Sequence, residues 1–170
     1  MSHQTKVIPD PFEFARRGDA LEGELDARGL PRLSDSIRDV GAYQMVRYKL
    51  SGFRLEGKSY LDVHATADLS FQCQRCLGDV RYPVEAQSRL LLVPRNEELP
   101  DEALEVDDFD PVHAGHDFDV LGAVEEELLL ALPLAPTHED CSAPVARENG
   151  DDGSPFAVLR GLKISGKRET

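Results

Sequence analysis

The chain contains no tryptophan, two methionines and only 6% aromatic residues. Leucine, valine and alanine must therefore supply most of its packing, and an apolar fraction of 41% in 170 residues suffices for one core. No apolar run approaches the ~20 residues that cross a bilayer as a helix. The opening residues Met1-Ser2-His3-Gln4-Thr5-Lys6 hold no apolar core of a signal peptide. The cysteines number three, and an odd count does not suggest a secreted disulfide framework. These absences predict a cytoplasmic protein with no membrane partner. No P-loop, Ser-His-Asp order or H-E-x-x-H pattern is present, which argues against an enzyme and against a small-molecule substrate.

Basic residues are missing from one long stretch. Residues 96–146 contain 15 Asp and Glu and no Lys or Arg. Residues 1–95 carry 14 basic against 13 acidic side chains, and residues 147–170 carry 5 against 4. The net charge of −13 thus resides entirely in that central stretch. Such a balance argues against tight, non-specific phosphate binding, which depends on Lys and Arg displacing counterions. It leaves room for a local RNA patch or a basic protein partner.

What is present is organised around Phe71-Gln72-Cys73-Gln74-Arg75-Cys76-Leu77-Gly78. Upstream, Leu61, Val63, Ala65, Ala67, Leu69 and Phe71 alternate with polar residues. Downstream, Val80, Tyr82, Val84, Ala86 and Ser88 do the same. Period-two alternation on both sides of a Gly-containing turn predicts a β-hairpin with the C-x-x-C at its tip. A thioredoxin-type dithiol needs a helix N-terminus to lower the thiol pKa, and here a strand follows. A two-cysteine knuckle on a hairpin is instead half of a tetrahedral zinc site. His138 and Cys141 form an H-x-x-C pair, so Cys73, Cys76, His138 and Cys141 make a Cys₃His candidate for structural zinc. The alternative is three unligated thiols and a surface histidine.

Along the chain, Asp10 as N-cap, Pro11 at the first position and Gly18 as stop predict a short helix. Ala20–Leu25 reads as an edge strand and residues 30–39 as a second short helix. Val46, Tyr48 and Leu50 alternate as a strand, with Gly52–Gly57 as the turn into the next. The three strands form an antiparallel meander, on whose solvated face Arg47, Lys49, Arg54, Arg81 and Arg89 could align; the first reading is an ordinary half-exposed sheet face, the second a small RNA-contact patch. Residues 97–110 read as an acidic loop, and His113, His116, Asp117 and Asp119 as loop residues. Asp119–Leu132 is the strongest helix, with Val120, Leu121, Val124, Leu128, Leu129 and Leu132 as its apolar stripe. Glu125, Glu126 and Glu127 form its wet side, and Pro133 ends it.

The expected architecture is α+β: an antiparallel β-meander with one long helix packed on it, short N-terminal helices and a flexible C-terminal tail. Residues 1–141 form the domain and 142–153 a linker. Residues 154–170 form a short amphipathic helix, with Phe156, Leu159 and Leu162 on one side, and a basic tail. Its Arg160, Lys163, Lys167 and Arg168 are candidate partner or RNA contacts. The other reading is a tail packed on its own domain.

Three stretches together resemble the bacterial YceD family of large ribosomal RNA subunit accumulation proteins. They are Cys73-Gln74-Arg75-Cys76, the run from Glu125 through Leu128, Pro133 and Pro136 to His138, and Ser154-Pro155-Phe156-Ala157-Val158-Leu159-Arg160-Gly161-Leu162-Lys163. The resemblance extends from the Phe12-Glu13-Phe14-Ala15-Arg16 opening to the basic tail. It implies a ribosome biogenesis factor needed for synthesis, processing or stability of 23S rRNA, with precursor RNA or large-subunit ribosomal proteins as partners. It implies no reaction. Two rival expectations stand beside it: a metal-assisted RNA hydrolase using acids near Asp107, Asp117 and Asp119, and a small zinc-stapled adaptor serving another system.

Overall fold

A computed structural model of the chain describes residues 7–100 and 109–144. Asp107, most of the expected linker and the segment 154–170, with Arg160, Lys163, Lys167 and Arg168, lie outside the described residues.

Helix α1 (Pro11–Arg17) begins where the Asp10 carboxylate accepts the backbone N–H groups of Phe12 and Glu13 at 3.0 and 2.9 Å. It stops at Gly18, whose φ of +69° suits a residue without Cβ. Strand β1 (Val7–Ile8) precedes it, and β2 (Ala20–Asp26) follows. A 3₁₀ turn at Ala27–Gly29 leads into α2 (Pro31–Ser36), shorter than its apolar spacing suggested.

The meander is the centre of a larger sheet. Strands β3 (Met45–Leu55), β4 (Lys58–Gln72) and β5 (Asp79–Pro94) are flanked by β2 and by β6 (Asp110–Ala114), in the order β2-β3-β4-β5-β6. The first four pair antiparallel, whereas β6 lies parallel to the end of β5. A second, two-stranded sheet joins β1 to β7 (Phe118–Asp119). The expected loop around His113 is therefore strand. Its parallel partner is supplied across the acidic crossover, and no hairpin signal marks such a pairing.

The β3–β4 turn also differs from expectation. β3 continues through Gly52 to Leu55, and the turn is the two-residue pair Glu56-Gly57, both at positive φ. Gly52 serves another purpose. A Cβ there would stand 2.8 Å from the Ala15 Cα and 2.7 Å from the Phe14 ring, because α1 lies directly on this strand. Pro83, within β5, is tolerated because β6 pairs only with Leu90–Pro94, leaving that half of β5 without a second strand neighbour among the described residues.

The three α-helices of the described residues cover one sheet face. The core between them includes Val46, Leu50, Leu61, Val63, Leu69 and Val84 from the sheet, with Ala15, Leu33, Val120, Val124 and Leu128 above. Helix α3 (Val120–Leu130) is capped by the Asp119 carboxylate on Gly122 N at 3.0 Å and ends two residues before the expected Leu132. Glu125 is not on its wet side. The residue is buried, and its carboxylate accepts Leu33 N at 3.1 Å and Arg32 Nε at 3.3 Å, bolting α2 to α3. Glu126 behaves as expected and pairs from the surface with Arg32 at 2.8 Å.

The opposite face carries a small apolar cluster of Tyr60, Leu91 and Val93 with Phe53 and Phe109 at one end, and mixes charges across strands elsewhere. Arg47 faces Glu24 at 3.8 Å, His64 faces Glu85 at 3.0 Å, and Arg89 holds Asp62 at 2.8 Å. The five cations do not make one stripe there, which accords with the ordinary half-exposed face. Alternation puts Arg54 on the Gly52 face, beside Glu13 and Arg16 of α1.

Candidate metal centre

The hairpin tip between β4 and β5 is a tight knuckle. Cys73 N bonds to Gly78 O at 2.8 Å and Leu77 N to Cys73 O at 2.9 Å, with Leu77 at φ +63°. This winding turns the Cys76 amide back onto Cys73 Sγ at 3.5 Å. A thiolate held by backbone N–H groups is what a metal-binding knuckle requires.

The second half comes from the chain beyond α3. Pro133 cannot extend the helix, and residues 131–136 cross to the hairpin, where Gln74 N bonds to Pro136 O at 2.9 Å. Two residues later His138 Nε2 lies 2.9 Å from the Asp79 carbonyl oxygen. A carbonyl only accepts, so Nε2 carries the proton and Nδ1 presents its lone pair. That Nδ1 is 3.4 Å from Cys76 Sγ. Cys141 Sγ closes the group, 3.6 Å from Cys73 Sγ, and Arg75 Nη1 donates to the Cys141 carbonyl at 3.2 Å.

The four donor atoms all lie within 4.8 Å of one another. A tetrahedron with Zn–S bonds of about 2.3 Å has S···S edges of about 3.8 Å. The observed contacts are close to those edges, so the donors fit zinc in number, type and spacing. Cys73 is buried and the other three are half-buried, an enclosed setting. Burial pushes the Cys73 thiol up, but N–H bonds from Cys76, His138 and Arg75 outweigh it and bring its pKa down to about 5. Burial, followed by the neighbouring Cys73 and Cys76, raises the Cys141 thiol. A divalent metal at this spacing would favour the thiolate form of its cysteine donors.

Supporting residues outside the motif were not legible from spacing. Arg38 pairs with Asp79 at 2.9 Å. The Gln44 amide accepts Ser70 N at 2.6 Å and donates to Arg38 O at 2.8 Å. Together they brace the base of the hairpin carrying the knuckle. A lone Gln in a loop gives no pattern by which to find it.

The acidic and histidine candidates do not gather into a comparable site among the described residues. His113 is exposed on β6, and the Asp119 carboxylate is engaged in capping α3. The Cys₃His group alone brings three or more such ligands together among the described residues.

Comparison with known proteins agrees with the family resemblance. Residues 61–163 match the family described as large ribosomal RNA subunit accumulation protein YceD. That span contains all four clustered side chains. A Haemophilus influenzae protein named large ribosomal RNA subunit accumulation protein YceD is 29% identical over 174 residues, covering 91% of this chain and 93% of its own. No solved structure matches. With the family match spanning more than half of the chain, through both strands of the knuckle hairpin and the helix that leads to His138 and Cys141, the protein belongs to the YceD family.

Proposed function

We propose that the protein is a cytoplasmic ribosome biogenesis factor that supports 23S rRNA accumulation by binding, not by catalysis. Family membership carries this reading, because the relatives are named for large-subunit ribosomal RNA accumulation. Precursor RNA or basic ribosomal proteins of the large subunit are the partners, and the acidity of residues 96–146 favours electrostatic contact with the latter.

The Cys₃His group holds zinc in a structural role. Four protein donors fill a tetrahedron and leave no position for a substrate or activated water. Bound there, zinc supplies a cross-link between the hairpin tip and the chain leaving α3. Asp79 O and Arg75 orient His138 and Cys141 for it, as outer partners do at metal centres.

The test is depletion of the protein in its own cell, followed by quantification of 23S rRNA and ribosomal subunits. The expected outcome is selective loss of 23S rRNA and of large subunits. Unchanged rRNA and subunit profiles overturn the ribosomal reading.

A further inference from the structure

Cys73, Cys76 and Cys141 are free cysteines gathered in one cluster, yet their surroundings differ. Cys73 is fully buried, whereas Cys76 and Cys141 are half-buried. Cys73 and Cys76 sit in the turn locked by Cys73 N–Gly78 O and Leu77 N–Cys73 O, at 2.8 and 2.9 Å. Cys141 lies in irregular chain beyond α3, tied to the knuckle by the Arg75 bond to its carbonyl oxygen at 3.2 Å. Its sulfur rests 3.6 Å from Cys73 Sγ, while Cys76 Sγ faces His138 Nδ1 at 3.4 Å. A disulfide bond is about 2.05 Å long, so an approach of about 1.5 Å joins Cys73 to Cys141. An accessible sulfur beside a shielded second one is the arrangement of oxidant-sensing cysteine pairs.

We infer that Cys73 and Cys141 form a reversible disulfide under hydroperoxide, and that this bond takes over from the metal as the link between the hairpin tip and the chain leaving α3. The bond rests on the sulfur positions alone, and the replacement of metal rests on the structural-zinc reading above. The Cys141 thiolate attacks one peroxide oxygen, the O–O bond breaks and hydroxide leaves, which makes Cys141 a sulfenic acid. The Cys73 thiolate then attacks the Cys141 sulfur, the S–O bond breaks and a second hydroxide leaves. Two thiolates are oxidised, one peroxide is reduced, and two protons from solvent convert the hydroxides to water. Burial shields Cys73 from meeting peroxide first and suits it to this second step. Cys76 and His138 are then the only two donors left, too few to fill a tetrahedral site, so bound zinc is released. The new bond spans the same 68 positions as the metal link, so the two parts stay tethered. A Cys73–Cys76 bond would close inside the knuckle and tether nothing.

Hydrogen peroxide treatment of the full-length protein, freed of reductant, tests the pair by maleimide alkylation and peptide mapping. The expected products are a Cys73–Cys141 linked peptide and an alkylated Cys76, with the bond reversed by dithiothreitol. Zinc bound beforehand should appear in a chromogenic chelator, one equivalent for each bond formed. Cys76→Ser should still form the bond, and Cys141→Ser should not. Urea midpoints should place the oxidised, metal-free protein above the reduced, metal-free protein. A dominant bond involving Cys76, a disulfide between two copies, over-oxidised Cys141 without a bond, or thiols that survive peroxide overturns the inference. Equal midpoints overturn the tether. Metal analysis before treatment separates the two readings. Bond formation in a protein purified without metal sinks the zinc and leaves the disulfide, whereas a zinc-bearing protein whose sulfurs resist peroxide does the reverse.

Discussion

Cys73 and Cys141 are separated by 68 positions in sequence and by 3.6 Å between their sulfur atoms. One directly follows a strand of the central sheet and the other follows the exit of α3. Everything that brings them together is fold: the hairpin that lifts Cys73, and the proline-bounded crossing that returns Cys141.

If zinc occupies this group, protein purified without a polyhistidine tag contains one equivalent of it. Cys73→Ser or Cys141→Ser then loses the metal and destabilises the protein by more than a typical surface substitution. Metal analysis alongside thermal unfolding decides it. A metal-free wild type as stable as the serine variants removes the site.

Stability of the metal-stripped protein should depend on the Cys73 thiol. Its folded pKa of about 5 lies below the ordinary 9.0, so ionisation favours the folded state. That contribution is complete above about pH 9 and fades as pH falls toward 5. Urea midpoints should therefore rise with pH across this window, and Cys73→Ser should flatten the rise. A flat wild-type profile contradicts the assignment.

Removing the Glu125 carboxylate should prove costlier than removing its neighbour. Glu125→Ala leaves the Leu33 amide without its acceptor inside the helix–sheet core. The expected loss is about 1–3 kcal/mol. Glu126→Ala breaks only an exposed ion pair and should cost at most about 1 kcal/mol. Equal losses from the two variants, measured by denaturant unfolding, would show that the buried acceptor is unimportant.

Gly52→Ala probes the seat of α1. The new Cβ would meet the Ala15 backbone at 2.8 Å, and backbone cannot step aside as a side-chain end can. Destabilisation of about 1–3 kcal/mol is expected, as for overpacked cores. Gly57→Ala stands in open space, so any cost there comes from its φ of +84° alone. A neutral Gly52→Ala would mean that α1 is free to move.

Local chemistry along the chain was sufficient for much of this protein. The alternation on either side of Cys73 defined the hairpin, and Asp10, Pro11 and Gly18 bounded α1 through caps that act within a few residues. Asp119 and Pro133 framed α3 for the same reason, and the C-x-x-C with the H-x-x-C nominated four ligands by type and spacing. Tertiary structure alone decided the parallel docking of β6, the burial of Glu125 among three Glu, and the contact of Gly52 with α1. It also decided that His138 turns Nδ1 toward Cys76. Each of these depends on a partner supplied from a distant part of the chain, and periodicity records only which face a residue occupies, not what will cover it.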